Sequence, residues 1–172
     1  MEPYKSEFRY TEYGKPFLQS PSDLHFNLSH TDGHALLVFS LDKAIGVDAE
    51  SVNDKIETET LVHRFFSPVE IHNITAIPLV DQPVAFFRLW TRKEALIKAH
   101  GAGLSLPLAQ FGISVKEEEE VRVLHTDWAP EEAGQWSVVS FTVAPDTLGA
   151  IAQKAAFKKL EFYDFHSRAQ PN

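Results

Sequence analysis

There is no cysteine anywhere in this 172-residue sequence, which excludes disulfides, thiolate metal sites and a cysteine nucleophile together. No apolar run approaches the roughly 20 residues needed to cross a bilayer. The start, Met1-Glu2-Pro3-Tyr4-Lys5, has no basic region leading into an apolar core, so nothing there resembles a secretory signal. A cytoplasmic location with no membrane partner is the simplest expectation. Positive charge is scarce as well. Sixteen Lys and Arg against 24 Asp and Glu leave a formal net charge of −8, the opposite of the basic face a nucleic-acid binder shows. Arg92-Lys93 and the lysines from Lys154 to Lys159 are local exceptions that read as solvated faces. Internal repeats are lacking, and the acidic run Glu117 to Glu120 reads as an exposed turn. What remains, 44% hydrophobic and 23% charged residues, is the composition of one globular domain long enough to bury a core.

The longest helical pattern runs from about Pro83 to His100. Pro83 suits a first turn, where its missing N–H is not needed, and Gly101 and Gly103 follow as stop signals. At 3.6 residues per turn, Phe87, Trp90, Glu94, Ile97 and Lys98 share one face. An acid on a stripe with two aromatics and an isoleucine is unusual, because burying a carboxylate without a partner is costly. The plain alternative is an exposed i,i+4 pair between Glu94 and Lys98, contributing a few tenths of a kcal/mol.

Upstream, Phe8 to Tyr13 alternates loosely as a strand and Gly14-Lys15-Pro16 breaks it. Ser20-Pro21-Ser22-Asp23 is a loop. His25 to Ser29 and Ala35 to Leu41 read as strands joined by the polar turn His30-Thr31-Asp32-Gly33-His34. Two histidines flanking Asp32-Gly33 suggest a metal, yet nothing supplies further ligands at a recognisable spacing. Ala44 to Ser51 has a strand's apolar entry, and in an extended chain Asp48 and Glu50 point to one side, about 6.6 Å apart. That pair suits either a hard-cation site or a solvated strand end.

Glu57 to Phe66 is helical by pattern. Ser67-Pro68-Val69-Glu70 carries a capping box with proline in the first turn of a short helix ending near Ile77-Pro78. After the constrained loop Leu104 to Leu108, the segments 111–115, 121–125, 135–143 and 149–153 read as strands of an antiparallel sheet. Lys159 to Phe165 adds a strand or packs as a tail. Strands and helices mix without regular βαβ alternation, so the fold class is α+β, an antiparallel sheet packed on a long central helix.

Three stretches, Gly46-Val-Asp-Ala-Glu50, Trp90-Thr-Arg-Lys-Glu-Ala-Leu-Ile-Lys98 and Gly101-Ala-Gly-Leu-Ser-Leu-Pro107, resemble in order and spacing the 4′-phosphopantetheinyl transferases, particularly the larger kind that activates peptide synthetases. Gly14-Lys-Pro16 and Phe26-Asn-Leu-Ser-His30 extend the resemblance over about nine-tenths of the chain. It implies magnesium-dependent transfer of the phosphopantetheine arm of coenzyme A to a serine of an acyl or peptidyl carrier protein, with 3′,5′-ADP released. It also implies Asp48, Glu50 and Glu94 as magnesium ligands and Lys98 as the contact to the reacting pyrophosphate. Ser29 and His30 match positions that hold the coenzyme's phosphates, and Lys15-Pro16 the loop against its adenine end. Glu94 or a metal-bound water would take the serine proton, and sequence does not choose between them.

Two departures stand out. Ala49 replaces the bulky aliphatic usual between the two acids. Residues 1–43 match only a remnant of an N-terminal half, with a complete C-terminal half over 44–156 and a tail over 157–172. Lys5 and Arg9 would have to replace the basic residues that hold the coenzyme's 3′-phosphate. Homo-oligomerisation through an uncovered apolar face is expected. The other reading is a non-catalytic paralogue or fragment that binds coenzyme A or a partner.

Overall fold

A computed structural model of the chain describes residues 7–19, 23–116 and 120–165. Lys5, the Ser20-Pro21-Ser22 part of the predicted loop, Glu117 to Glu119 of the predicted acidic turn and residues 166–172 of the tail lie outside them. The described elements, in order, are β1 (Phe8–Tyr10), β2 (Pro16–Leu18), β3 (His25–Thr31), β4 (His34–Ser40) and β5 (Ile45–Ser51). There follow α1 (Thr58–Phe65), α2 (Pro68–Thr75), α3 (Gln82–His100), β6 (Phe111–Ile113), β7 (Val123–Thr126), β8 (Ser137–Ala144) and β9 (Thr147–Gln153). Mixed helices and antiparallel strands with a long helix against them make this the α+β fold expected. No helix among the described residues is long and apolar enough to cross a membrane.

The strands divide differently from a single sheet. β5, β9 and β8 form a three-stranded antiparallel sheet in that order, while β1–β2, β3–β4 and β6–β7 are separate two-stranded pairs. The first strand is shorter than its alternation suggests, and Gly14 at φ 81° lets the chain turn back into β2. The segment Lys159 to Phe165 forms no strand. Instead Phe157 and Leu160 pack on Val38, Ile45, Val47 and Ile151, covering the side of β5 away from α3.

α3 lies across β5 and β9, with Phe86, Phe87, Leu89, Ala95, Leu96, Ile97 and Ala99 buried. Phe66, Ile74, Phe111, Ile113, Val138, Ala150 and Ala152 complete that core, each large apolar side chain contributing about 1.5–3 kcal/mol by leaving water. Gly101 ends the helix in the left-handed conformation, φ 85°, returning its N–H to Ile97 O. At the start of α2 the Glu70 carboxylate accepts the Ser67 backbone N–H at 2.8 Å and the Ser67 hydroxyl at 2.8 Å. The same carboxylate receives the Lys93 ammonium at 2.7 and 2.8 Å and the Ile113 N–H at 2.8 Å, and Lys93 also donates to Phe111 O at 2.5 Å. Burial pulls Lys93 down to about 8. With its partners filled, this ion pair pins α2, α3 and β6 to one another. Removing one member would leave a buried charge uncompensated, costing about 3–5 kcal/mol.

The β3–β4 hairpin closes more tightly than a five-residue turn. Asp32 at φ 24° and Gly33 at φ 79° make a two-residue turn with both central residues at positive φ, so His30 and His34 belong to the strands. On β3 the polarity is inverted, although Val38 of β4, opposite Asn27, is buried on the same face. Asn27 and Ser29 are buried, whereas Leu28, Leu37 and Phe39 on the opposite face are 46%, 59% and 60% exposed. The reason is β5, an edge strand of the three-stranded sheet, whose outward N–H groups need acceptors. Val47 N donates to Asn27 Oδ1 (2.9 Å), Ala49 N to Ser29 Oγ (3.2 Å) and Ser51 N to Thr31 Oγ1 (3.2 Å). Every second side chain of β3 thus serves every second amide of β5, while Leu36 and Val38 of β4 fill the same inward face with apolar contacts.

Candidate active site

The site begins where β5 crosses α3. A Cβ on Gly46 would stand 2.1 Å from Ala95 O, 2.4 Å from Ala99 N and 2.9 Å from the Lys98 carbonyl carbon. Strand and helix backbones therefore touch at this residue, and only glycine permits it. Two residues on, Asp48 leaves β5 on the side of Lys98. Asp48 Oδ1 accepts the Lys98 ammonium at 2.7 Å and the Ser29 hydroxyl at 3.0 Å. The ammonium also reaches Ser29 Oγ at 3.1 Å. Lys98 thus turns away from a simple helical pair with Glu94 and bridges to the strand. Asp48 Oδ2 is buried and has no hydrogen-bond partner among the described residues.

Glu50 and Glu94 stand near this pair, half-buried. Burial pushes the Asp48 carboxyl up, against the opposing pull of Lys98 and Ser29. Glu50 is raised by burial, then by the Asp48 charge and more weakly by Asp32, with Lys98 opposing. Glu94 is raised by burial, Asp48 and Glu50, and lowered by Lys98. Three carboxylates that repel one another across a partly dry space, with one ammonium between them, leave negative charge uncompensated. No group of three acids or histidines among the described residues forms a ready-made cage for a metal. The orphaned Asp48 oxygen and the mutual repulsion nevertheless fit a hard cation, which takes oxygen ligands and shares them with waters or substrate.

Of the other expected residues, Ser29 is brought to Asp48, while His30 is exposed on the opposite face of β3, as strand alternation requires. Lys15 donates to Ile45 O at 3.0 Å and Lys98 O at 2.6 Å, bracing the entry of β5 and the last turn of α3, and burial pulls it down to about 8. Pro16, half-buried, opens β2 beside it. Sequence reasoning missed the Asn27–Ser29–Thr31 ladder and the role of Lys93 in orienting α3. For the ladder the signal was present: three small polar side chains at period two on a strand with large apolar residues between them.

A mixed fold in which an edge strand and a long helix present three acids and a lysine to one space describes an α+β protein with a candidate cation site. Comparison with known proteins narrows it. The family model of the 4′-phosphopantetheinyl transferase superfamily matches residues 44–153, and the chain belongs to that superfamily. A 4′-phosphopantetheinyl transferase of Bacillus subtilis is 37% identical over 123 residues, 72% of this chain and 54% of the relative. The 4′-phosphopantetheinyl transferase HetI of Nostoc sp. is 33% identical over 156 residues, 88% of this chain and 62% of the relative. The chain thus spans little more than half the length of these curated relatives. The fold is shared with the solved holo-ACP-synthase of Plasmodium yoelii, at a TM-score of 0.51 and 18% identity over 63% of this chain and 91% of that one.

Proposed function

We propose that this chain transfers the 4′-phosphopantetheine arm of coenzyme A to a serine hydroxyl of an acyl or peptidyl carrier protein and releases 3′,5′-ADP. The observation that carries the reading is the state of Asp48: one oxygen held by Lys98 and Ser29, the other buried without a partner, beside two further acids. Asp48, Glu50 and Glu94 would hold a magnesium ion, and that ion would supply neutralising charge at the pyrophosphate.

The chain's own groups divide the remaining work. The Lys98 ammonium stabilises the phosphate oxygens of the departing nucleotide. Glu94, or a water held beside it, would take the serine proton. Lys15 and Pro16, beside the last turn of α3, and the exposed His30 are the coenzyme-facing groups of the proposal. Incubation with an apo carrier protein, coenzyme A and magnesium tests it, read as the mass increase of the phosphopantetheine arm on the carrier. Coenzyme A binding without any mass increase would make the chain a binder and refute the transferase.

A further inference from the structure

The ladder from β3 to β5 has one rung unlike the others. Asn27 and Thr31 accept amides of β5 and touch no acid of the site, whereas Ser29 accepts the Ala49 amide and reaches Asp48. A hydroxyl has one proton and two lone pairs. The Ser29 proton goes to Asp48 Oδ1 at 3.0 Å, and its lone pairs take the Ala49 N–H at 3.2 Å and the Lys98 ammonium at 3.1 Å. These three bonds use the hydroxyl's proton and both its lone pairs within the chain, and the side chain is buried.

We propose that Ser29 is a positioning residue for Asp48: with Lys98 it fixes one carboxylate oxygen, so that the other, buried and unpartnered, is presented to a divalent cation. Two chemical constraints carry this. A carboxylate whose two oxygens are free to rotate shares its charge between two orientations, whereas one clamped by two donors on Oδ1 aims Oδ2 in a single direction. The clamp is also anchored to the backbone, since the same hydroxyl holds the Ala49 amide next to Asp48 in the chain. Ser29 thereby couples the register of β3 against β5 to the orientation of a metal-binding oxygen. Groups that orient a ligand in this way typically change metal affinity by 10- to 100-fold when removed. The inference rests on the reading of Asp48 as a metal ligand.

The test measures Mn²⁺ binding to the full chain by electron paramagnetic resonance in the absence of coenzyme A. Ser29→Ala is expected to weaken Mn²⁺ binding roughly 10-fold or more. Ser29→Thr keeps the hydroxyl and is expected to stay within about threefold of the unmodified chain. Thr31→Val removes a neighbouring rung without touching Asp48, and separates loss of the clamp from mere loss of a ladder bond; its Mn²⁺ affinity is expected to be unchanged. Equal weakening by Ser29→Ala and Thr31→Val would overturn the positioning role. So would unchanged Mn²⁺ affinity in Ser29→Ala together with weaker coenzyme A binding in EDTA, which would make Ser29 a direct contact of the coenzyme. If the unmodified chain binds no Mn²⁺, Asp48 is no metal ligand, and the underlying reading fails along with the inference.

Discussion

Replacing Gly46 by alanine adds one methyl group at the point where β5 and α3 touch. The added carbon would sit 2.1 Å from Ala95 O and 2.4 Å from Ala99 N, whereas ordinary contacts of that kind are about 3.3 Å or more. Both neighbours are backbone atoms of a helix interior and have no rotamer to escape into. The helix must therefore retreat from the strand by about 1 Å, or the strand must bend. Overpacking of this kind costs typically 1–3 kcal/mol and more where backbone must move. Taking about 3 kcal/mol, and about 2–4 °C of melting temperature per kcal/mol for a chain of this size, the expected loss is about 6–12 °C.

The same displacement reaches the site. Lys98 lies on α3 and Asp48 on β5, and their 2.7 Å bond spans the seam that Gly46 closes. A retreat of about 1 Å carries that bond past the usual hydrogen-bond limit, so the ammonium leaves Asp48 and the carboxylates lose their common focus. Calorimetric melting together with Mn²⁺ titration measures both effects on one sample. A Gly46→Ala protein that melts within about 1 °C of the parent, inside the ordinary scatter of surface substitutions, would refute the claim that backbone contact at residue 46 builds the site.

On the proposed function, Glu94→Gln or Asp48→Asn should abolish transfer of the arm to a carrier protein while leaving the circular dichroism spectrum unchanged, since each removes a proposed cation ligand and not core volume. Lys98→Ala should lower the turnover number more than it weakens coenzyme A binding, and wild-type turnover would exclude Lys98 from the leaving phosphate. Glu50 is raised by burial and by Asp48, so its ionised form opposes folding once pH exceeds its unfolded value, and the penalty is complete above the higher folded value. Glu50→Gln should therefore leave the melting temperature at neutral pH unchanged or higher, and the gain should shrink as pH falls toward the ordinary glutamate range. The outward Leu28, Leu37 and Phe39 should drive association of two copies through their hairpins, and Leu37→Lys with Phe39→Lys should reverse it. A parent chain that is strictly monomeric by light scattering at micromolar concentration would count against that association.

Much of this was legible in the chain itself. The stop at Gly101, the glutamate of the Ser67–Glu70 box and the stripe of Trp90, Glu94 and Lys98 follow from periodicity and capping chemistry, which are local. The partition of the strands was not legible, because pairing depends on which edges meet after the chain has travelled, and no local pattern encodes that β6–β7 stands apart from β8–β9. The hairpin is the instructive case. Alternation in Phe26-Asn-Leu-Ser-His30 predicts a strand correctly, but ordinary hydrophobic logic would bury Phe26 and Leu28 and expose Asn27 and Ser29. Instead Asn27 and Ser29 are buried, Leu28 is exposed and Phe26 is only half-buried against Phe8, because the edge strand β5 leaves three amides in need of acceptors, and burying such a donor unsatisfied costs about 1–3 kcal/mol each. Three such costs rival the gain from burying two large apolar side chains, so the polar side of β3 turns inward beside Leu36 and Val38 of β4. The site follows from that choice. Had β3 packed by Phe26 and Leu28 instead, Ser29 would have faced away from Asp48, and Lys98 would have met the carboxylate alone.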